Sequence, residues 1–405
     1  MKRVVITGIG VVSALGNTAA EFWDSIEAGR SGIGPIDSVD VSGLRALKNG
    51  AEVKGLVAAD HFEDRLLIWL DPFSHYGIIS AREAIKDSGI EFTDELKQRT
   101  GVITGSCLGG KVTEDMLYYK LYAQNKPRHQ PIAIPRAMAN AVASHVSMEF
   151  GLSGATFTTS TACSSANHAI GQAFWLVRQG TLDAAITGGS EAPFCYGNLA
   201  AWETMRVVSP DTCRPFSKDR SGMILGEGGA MFVLESLDAA QTRGAKIYAE
   251  IVGFGMSADA HHLTMPLATG AAKAIREAIQ DGGVAPESVG YINAHGTATQ
   301  ANDPMESEAI RLVFGDHTDK IAVSSTKSMH GHALGAAGAI EGAATVLGIH
   351  KGILPPNANY NERDPACDLD IIANESRRAE VDVAISNSFA FGGLNAVLAF
   401  RRWPA

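Results

Sequence analysis

The chain has 405 residues, 45% hydrophobic and 19% charged, which supplies a large core and excludes a disordered chain. Its 34 Lys and Arg against 44 Asp and Glu give a net charge of −10, which excludes a general nucleic-acid binder but allows a local basic patch to dock an acidic protein. Five widely spaced cysteines (Cys107, Cys163, Cys195, Cys213 and Cys367), with no CxxC pair, exclude a disulfide framework or a zinc ribbon and predict a reduced, cytosolic setting with room for one working thiol.

At about 150 residues per domain, two or three units are expected. Residues 1–3 run straight into the strand pattern VVITGIG, without the apolar segment and cleavage site of a signal peptide. A strand is predicted over 4–7. The TGIGVVSALG that contains it suggests dinucleotide binding, but the third glycine would fall at Ser13, and no acid is placed convincingly about 20 residues on. Residues 73–88 read as a helix, with Ile78, Ala81 and Ala84 on one face and Gly89 as its C-cap. A strand over 102–104 leads into the turn GSCLGG, and another covers 156–159. The uncharged run 151–177 is long enough to span a membrane, but its Thr, Ser, Asn, Gln and Gly make it buried globular core instead. A helix follows over 164–179, then a strand over 184–187 ending in GGSEAP. Strands and helices alternating at this density predict an α/β fold with mostly parallel, buried strands.

The second half repeats the first. IYAEIVGFG (247–255) opens it, and GYINAHGTAT (290–299) matches GVITGSCLGG as strand then turn. Residues 322–352 follow the layout of 157–180, a strand, a Ser/Thr turn and a small-residue helix closed by Gly. Two halves, 1–246 and 247–405, sharing one body are expected.

Four segments carry chemistry. In TACSSA (161–166), Cys163 stands where a helix begins. There the partial positive charge and free N–H groups favour a thiolate nucleophile and hold an oxyanion; the alternative is a buried structural cysteine. In NAHGTAT (293–299), His295 ends an apolar strand, as a site residue or a hydrogen-bonded core histidine. In STKSMHGH (325–332), Lys327, His330 and His332 sit among small residues, and Lys327 is the obvious partner for Glu341 in the apolar helix that follows. Asp303 and Glu306 are either site-orienting carboxylates or ordinary helix N-terminal acids. NSFAFGGLN (387–395) is either a mobile aromatic gate or a tight turn.

Together these blocks, with RPFSKDRSGMILGEG (214–228), resemble in order and spacing the β-ketoacyl-acyl carrier protein synthases, the synthase II class in particular, along 4–401. The resemblance implies the thiolase fold, two βαβαβαββ halves in five α-β-α-β-α layers, usually a homodimer, with no cofactor or metal. It implies that Cys163 takes an acyl chain from acyl carrier protein and that malonyl-acyl carrier protein then loses CO2. The carbanion so formed attacks the thioester, lengthening the chain by two carbons. By the same resemblance His295 and His332 donate to the enolate oxygen, and the N–H groups of Cys163 and Phe391 form the oxyanion hole. Lys327, held by Glu341, orients the site. Thr297 and Thr299 line the pantetheine arm. Phe391 gates acyl entry, Leu108 lies along the acyl tunnel, and Phe389 and Leu334 join the substrate-binding set. Asp303 and Glu306 support it.

The chain departs from the family pattern at Ala390, where a glycine is usual, and at Leu394, where Thr is usual. It departs again in RLLIWLD (65–71), which keeps Arg65 but replaces docking lysines and arginines with Leu67, Ile68 and Trp69. Arg206 matches a carrier-docking arginine. AWETMRVVSPDTCRPFS (201–217), NAHGTATQAND, STKSMH and AVLAFRR resemble the rhizobial nodulation protein E branch, which implies an unusual fatty acyl product and a dedicated carrier. The apolar surface around Trp69 is expected to contact a membrane or a partner. Two competing readings are a coenzyme A-dependent thiolase, which the two-histidine set opposes, and a non-catalytic chain-length-factor subunit, which Cys163 opposes.

Overall fold

The computed structural model describes residues 1–404 apart from Pro127, His129 and Gln130. Eleven strands form one sheet. They are β1 (Val4–Ser13), β2 (Thr100–Gly105), β3 (Thr156–Thr159), β4 (Ala184–Glu191), β5 (Gly228–Ser236), β6 (Ala249–Ala258), β7 (Val289–Asn293), β8 (Ala322–Ser324), β9 (Asp370–Ile371), β10 (Val383–Ala390) and β11 (Leu394–Arg402). Their spatial order is β9-β8-β7-β10-β11-β6-β1-β5-β4-β2-β3.

The order is a duplication. Outward from the centre, β1-β5-β4 are antiparallel and β4-β2-β3 parallel. On the other side, β6-β11-β10 are antiparallel and β10-β7-β8 parallel, with β9 added at the end. The two arms meet through a short junction, Val4 to Ile6 against Ala249 to Ile251.

Seven of the helices matter for the site. They are α1 (Pro72–Ser88), α2 (Lys111–Tyr122), α3 (Ser165–Arg178), α4 (Tyr196–Thr204), α5 (Ala268–Asp281), α6 (Asn302–Phe314) and α7 (Ala337–Lys351). Helices α3 and α7 pack on each other and on strands of both arms, and every residue of α7 from Ala337 to Ile349 is buried. Small residues allow this close approach: a Cβ on Gly171 would lie 2.4 Å from the Phe254 ring, and one on Gly338 would lie 2.3 Å from Asn167 Oδ1. Helices α1 and α5 cover the outer faces, which completes five α-β-α-β-α layers.

Helix α1 begins at Asp71, whose carboxylate accepts the Phe73 N–H, with Pro72 in the first turn, and ends at Gly89 in the left-handed conformation. It also explains the N-terminal glycines. A Cβ on Gly8 or Gly10 would stand 2.0 Å from the Ala84 or Ser80 carbonyl oxygen, so these glycines seat a helix against a strand.

One expectation is overturned. The run 151–177 is not buried throughout: β3 is the outermost strand of its arm, and Ala155, Thr156 and Phe157 are exposed. The α3 portion and Leu152 enter the core, whereas the strand between them pairs on one side alone.

Candidate active site

A cavity of about 250 Å3 is lined by Cys163, His295, His332, Phe389 and Phe391 together with Thr297, Thr299, Arg206 and Leu263. The first arm supplies Cys163. After β3 the chain turns through Ala162, a non-glycine residue with φ 51°, before α3 begins. Cys163 is 7% exposed. Burial pushes its thiol up to about 11, against the charge of Lys327 and the N–H groups of Phe391 and Cys163 itself. Desolvation thus works against the thiolate that the helix N-terminus favours.

The second arm supplies the imidazoles. His295 follows β7, and Glu306 of α6 fixes the turn by accepting the His295 N–H at 2.8 Å and the Gly296 N–H at 2.7 Å. Asn387 and Asn302 donate to the same carboxylate. Asp303 accepts the Phe216 and Ala298 N–H groups. Both acids are fully buried, and their bonds reach the turn that carries His295 and Ala298. Lys327, also fully buried, pairs with Glu341, donates to the His295 carbonyl at 2.6 Å and stands 3.3 Å from His295 Nδ1. His332 Nδ1 accepts the Leu334 N–H at 3.2 Å.

Each Nδ1 is therefore engaged as an acceptor, which leaves each Nε2 carrying the hydrogen. The two rings meet edge to face with centroids 5.4 Å apart. Burial, then the charge of Lys327, holds both histidines well below their ordinary range, so both are neutral donors. Burial pushes Glu341 up to about 7, against the pull of Lys327.

Other assigned residues lie elsewhere. Leu108 and Leu334 are not among the residues lining this cavity; they pack in an apolar cluster with Ile36, Phe194, Leu199 and Met223, the last of which also lines the cavity. Arg65 is on the surface and pairs with Glu63 at 2.6 Å. Arg206 lines the cavity and is exposed, with φ 55°.

Two residues escaped the sequence reading. Glu191, fully buried at the end of β4, accepts from Ser106, Cys107, Leu108 and Gly335 and so ties the turn after β2 to the turn before α7. Its only signal was an acid closing an apolar strand in GGSEAP. Trp202 of α4 stacks on Phe391 with centroids 6.1 Å apart and 23° between planes, and nothing in its local sequence indicated this.

Residues 1–240 match the family model of the beta-ketoacyl synthase N-terminal domain, and residues 248–361 match that of the C-terminal domain. The chain is 47% identical to nodulation protein E of Rhizobium sp. (strain N33), over 99% of both chains. It is 42% identical to 3-oxoacyl-[acyl-carrier-protein] synthase 2 of Synechocystis sp., over 99% of this chain and 98% of that one. Among solved structures, the ishigamide ketosynthase/chain length factor superimposes with TM-score 0.94 at 37% identity, over 100% of both chains. A type II polyketide ketosynthase in complex with its acyl-carrier protein does so with TM-score 0.88 at 31% identity, again over 100% of both.

Proposed function

The chain belongs to the beta-ketoacyl synthase family and is an acyl-transferring condensing enzyme, and from that premise we propose how its residues divide the reaction. Cys163 Sγ attacks the thioester carbonyl of an acyl chain held on acyl carrier protein. The N–H groups of Cys163 and Phe391 receive the developing oxyanion. The Cys163 proton leaves with the departing pantetheine thiol, so the buried thiol need not ionise in advance.

Malonyl-acyl carrier protein then enters with its arm along Thr297 and Thr299, whose hydroxyls are 2.9 Å apart. The C–C bond to its carboxylate breaks, CO2 departs, and the electron pair forms an enolate. The Nε2–H groups of His295 and His332 hold the enolate oxygen. The enolate carbon attacks the Cys163 thioester, forms the new C–C bond and expels the cysteine sulfur, which takes up a proton. Lys327 and Glu341 keep His295 in the donor tautomer, and Asp303 and Glu306 fix its turn.

The observation that carries this reading is one cavity in which a cysteine from 1–246 faces two neutral imidazole donors from 247–405. The two halves act as a nucleophile half and a donor half. The same reading makes the partner an acyl carrier protein met at Arg206. It makes the enzyme a homodimer that pairs through the open edge of β3, where Phe157 is exposed. The 47% identity to a nodulation protein E supports the specialised branch, with a carrier other than the housekeeping one. The docking segment agrees: Arg65 is already paired, and Ile68 and Trp69 are 52% and 39% exposed, an apolar surface open to a carrier or a membrane. Among the described residues, no helix is long and apolar enough to cross a membrane.

Intact-mass analysis tests the chemistry. Incubation with a panel of acyl-acyl carrier proteins is expected to add one acyl group at Cys163, and malonyl-acyl carrier protein then yields a product two carbons longer. Cys163→Ser forms no thioester adduct, and His332→Ala acylates but does not decarboxylate malonyl. Condensation at a near-parental rate by His332→Ala overturns the assignment of the donors.

A further inference from the structure

Trp202 occupies a boundary. One side of its indole stacks on Phe391, and both rings belong to the wall of the Cys163 cavity. The same residue packs against the apolar cluster that holds Leu108, Leu334, Phe194 and Leu199. Trp202 therefore stands between the reacting cysteine and the apolar region into which a fatty chain would extend.

Its platform is firm. The next residue, Glu203, accepts the N–H groups of Arg45 and Ala46 at 2.7 Å and of Leu47 at 3.2 Å, which pins the end of α4 to the 45–47 backbone. Phe391 sits on a softer mount. It opens the turn between β10 and β11, followed by Gly392 and Gly393 at φ 85° and 67°. Backbone bonds from Gly392 to Leu263 and from Asp259 to Gly393 hold the far side of that turn. The stack thus joins a ring on an anchored helix to a ring on a glycine-flanked turn.

We propose that Trp202 is a positioning residue that clamps Phe391 in its closed place over Cys163 and thereby favours the malonyl half-reaction over acyl entry. The proposal rests on the reading of Phe391 as the acyl gate. Loading a fatty chain requires the Phe391 ring to leave the stack and open the way to the Leu108 cluster. Malonyl is short enough to react with the ring in place. A clamp therefore slows acylation and supports decarboxylation, whereas general loosening of the fold lowers both.

The test measures the two half-reactions separately: acylation of Cys163 by intact mass from a long-chain acyl-acyl carrier protein, and CO2 release from malonyl-acyl carrier protein. In Trp202→Ala the ratio of acylation to decarboxylation is expected to rise about threefold to tenfold, the scale of one aromatic stack. Trp202→Phe keeps a ring there and is expected to restore the parental ratio. Phe391→Ala, which keeps its backbone N–H, is expected to shift the ratio in the same direction. An unchanged ratio in Trp202→Ala, or an equal fall in both rates, overturns the clamp. If Phe391→Ala nevertheless shifts the ratio, the gate reading stands without the clamp; if neither variant shifts it, the gate reading falls with the clamp.

Discussion

In the proposed mechanism Cys163 reacts from its thiol form. Its thiolate fraction stays small at neutral pH, because burial pushes the group up to about 11. Alkylation of the free enzyme by iodoacetamide is thus expected to rise about tenfold per pH unit from 7 to 10; a rate that is flat over that range contradicts a buried, protonated thiol. The histidines titrate on the other side: both are held well below their ordinary range, so the donors remain neutral through mildly acidic pH. The turns that bring His295, Lys327 and His332 together were legible as Gly- and Ser-rich segments, while the roles proposed for them came from the family resemblance. The charge state of Cys163 was not legible there. It depends on burial in the folded core, which outweighs the opposing charge of Lys327 and the N–H of Phe391, and no local pattern encodes that balance.

Among the elements, β3 differs from its neighbours. It pairs with β2 alone, its other edge is free, and Phe157 projects from it 37% exposed. A free edge of this kind is a template for another strand, and the proposed homodimer fills it with a second copy of the chain. Sedimentation of the parent chain is expected to give a dimer, and Phe157→Glu, which sets charge against charge across that edge, is expected to shift it toward monomer. A monomeric parent removes β3 as an interface. The strand was located correctly from TFTT, yet its exposure was misjudged, because a run of uncharged residues fits a sheet edge covered by a partner as well as it fits a core. The duplication was more legible. Each arm repeats one order of strands, and the small-residue helices α3 and α7 had to be small to share the middle layer.

Across the whole molecule, burial pushes several carboxyls up: Glu227 to about 8, Glu83 and Glu341 to about 7, and Asp303 to about 6. A carboxyl raised on folding keeps a proton in the native state that the unfolded chain has lost. Between its unfolded value near 4 and its folded value, stability falls as pH rises, by about 1.4 kcal/mol per unit for each such group. Glu227 accepts the Val53 N–H at 2.9 Å, a bond that glutamine can also accept. Glu227→Gln is therefore expected to melt close to the parent at pH 5 and several degrees above it at pH 8. A gap in melting temperature that is the same at both pH values excludes an ionisation cost at this site.

The pairing of β1 with β5 joins Val4 to Ser236, 232 positions apart. During synthesis the first strand emerges long before its principal neighbour exists, and the first arm cannot close until more than half of the chain has been made. Such distant pairing makes folding slow and leaves an apolar strand waiting in the open, a state prone to aggregation. Production of this protein should therefore depend on translation rate and chaperone supply more strongly than its native stability would suggest.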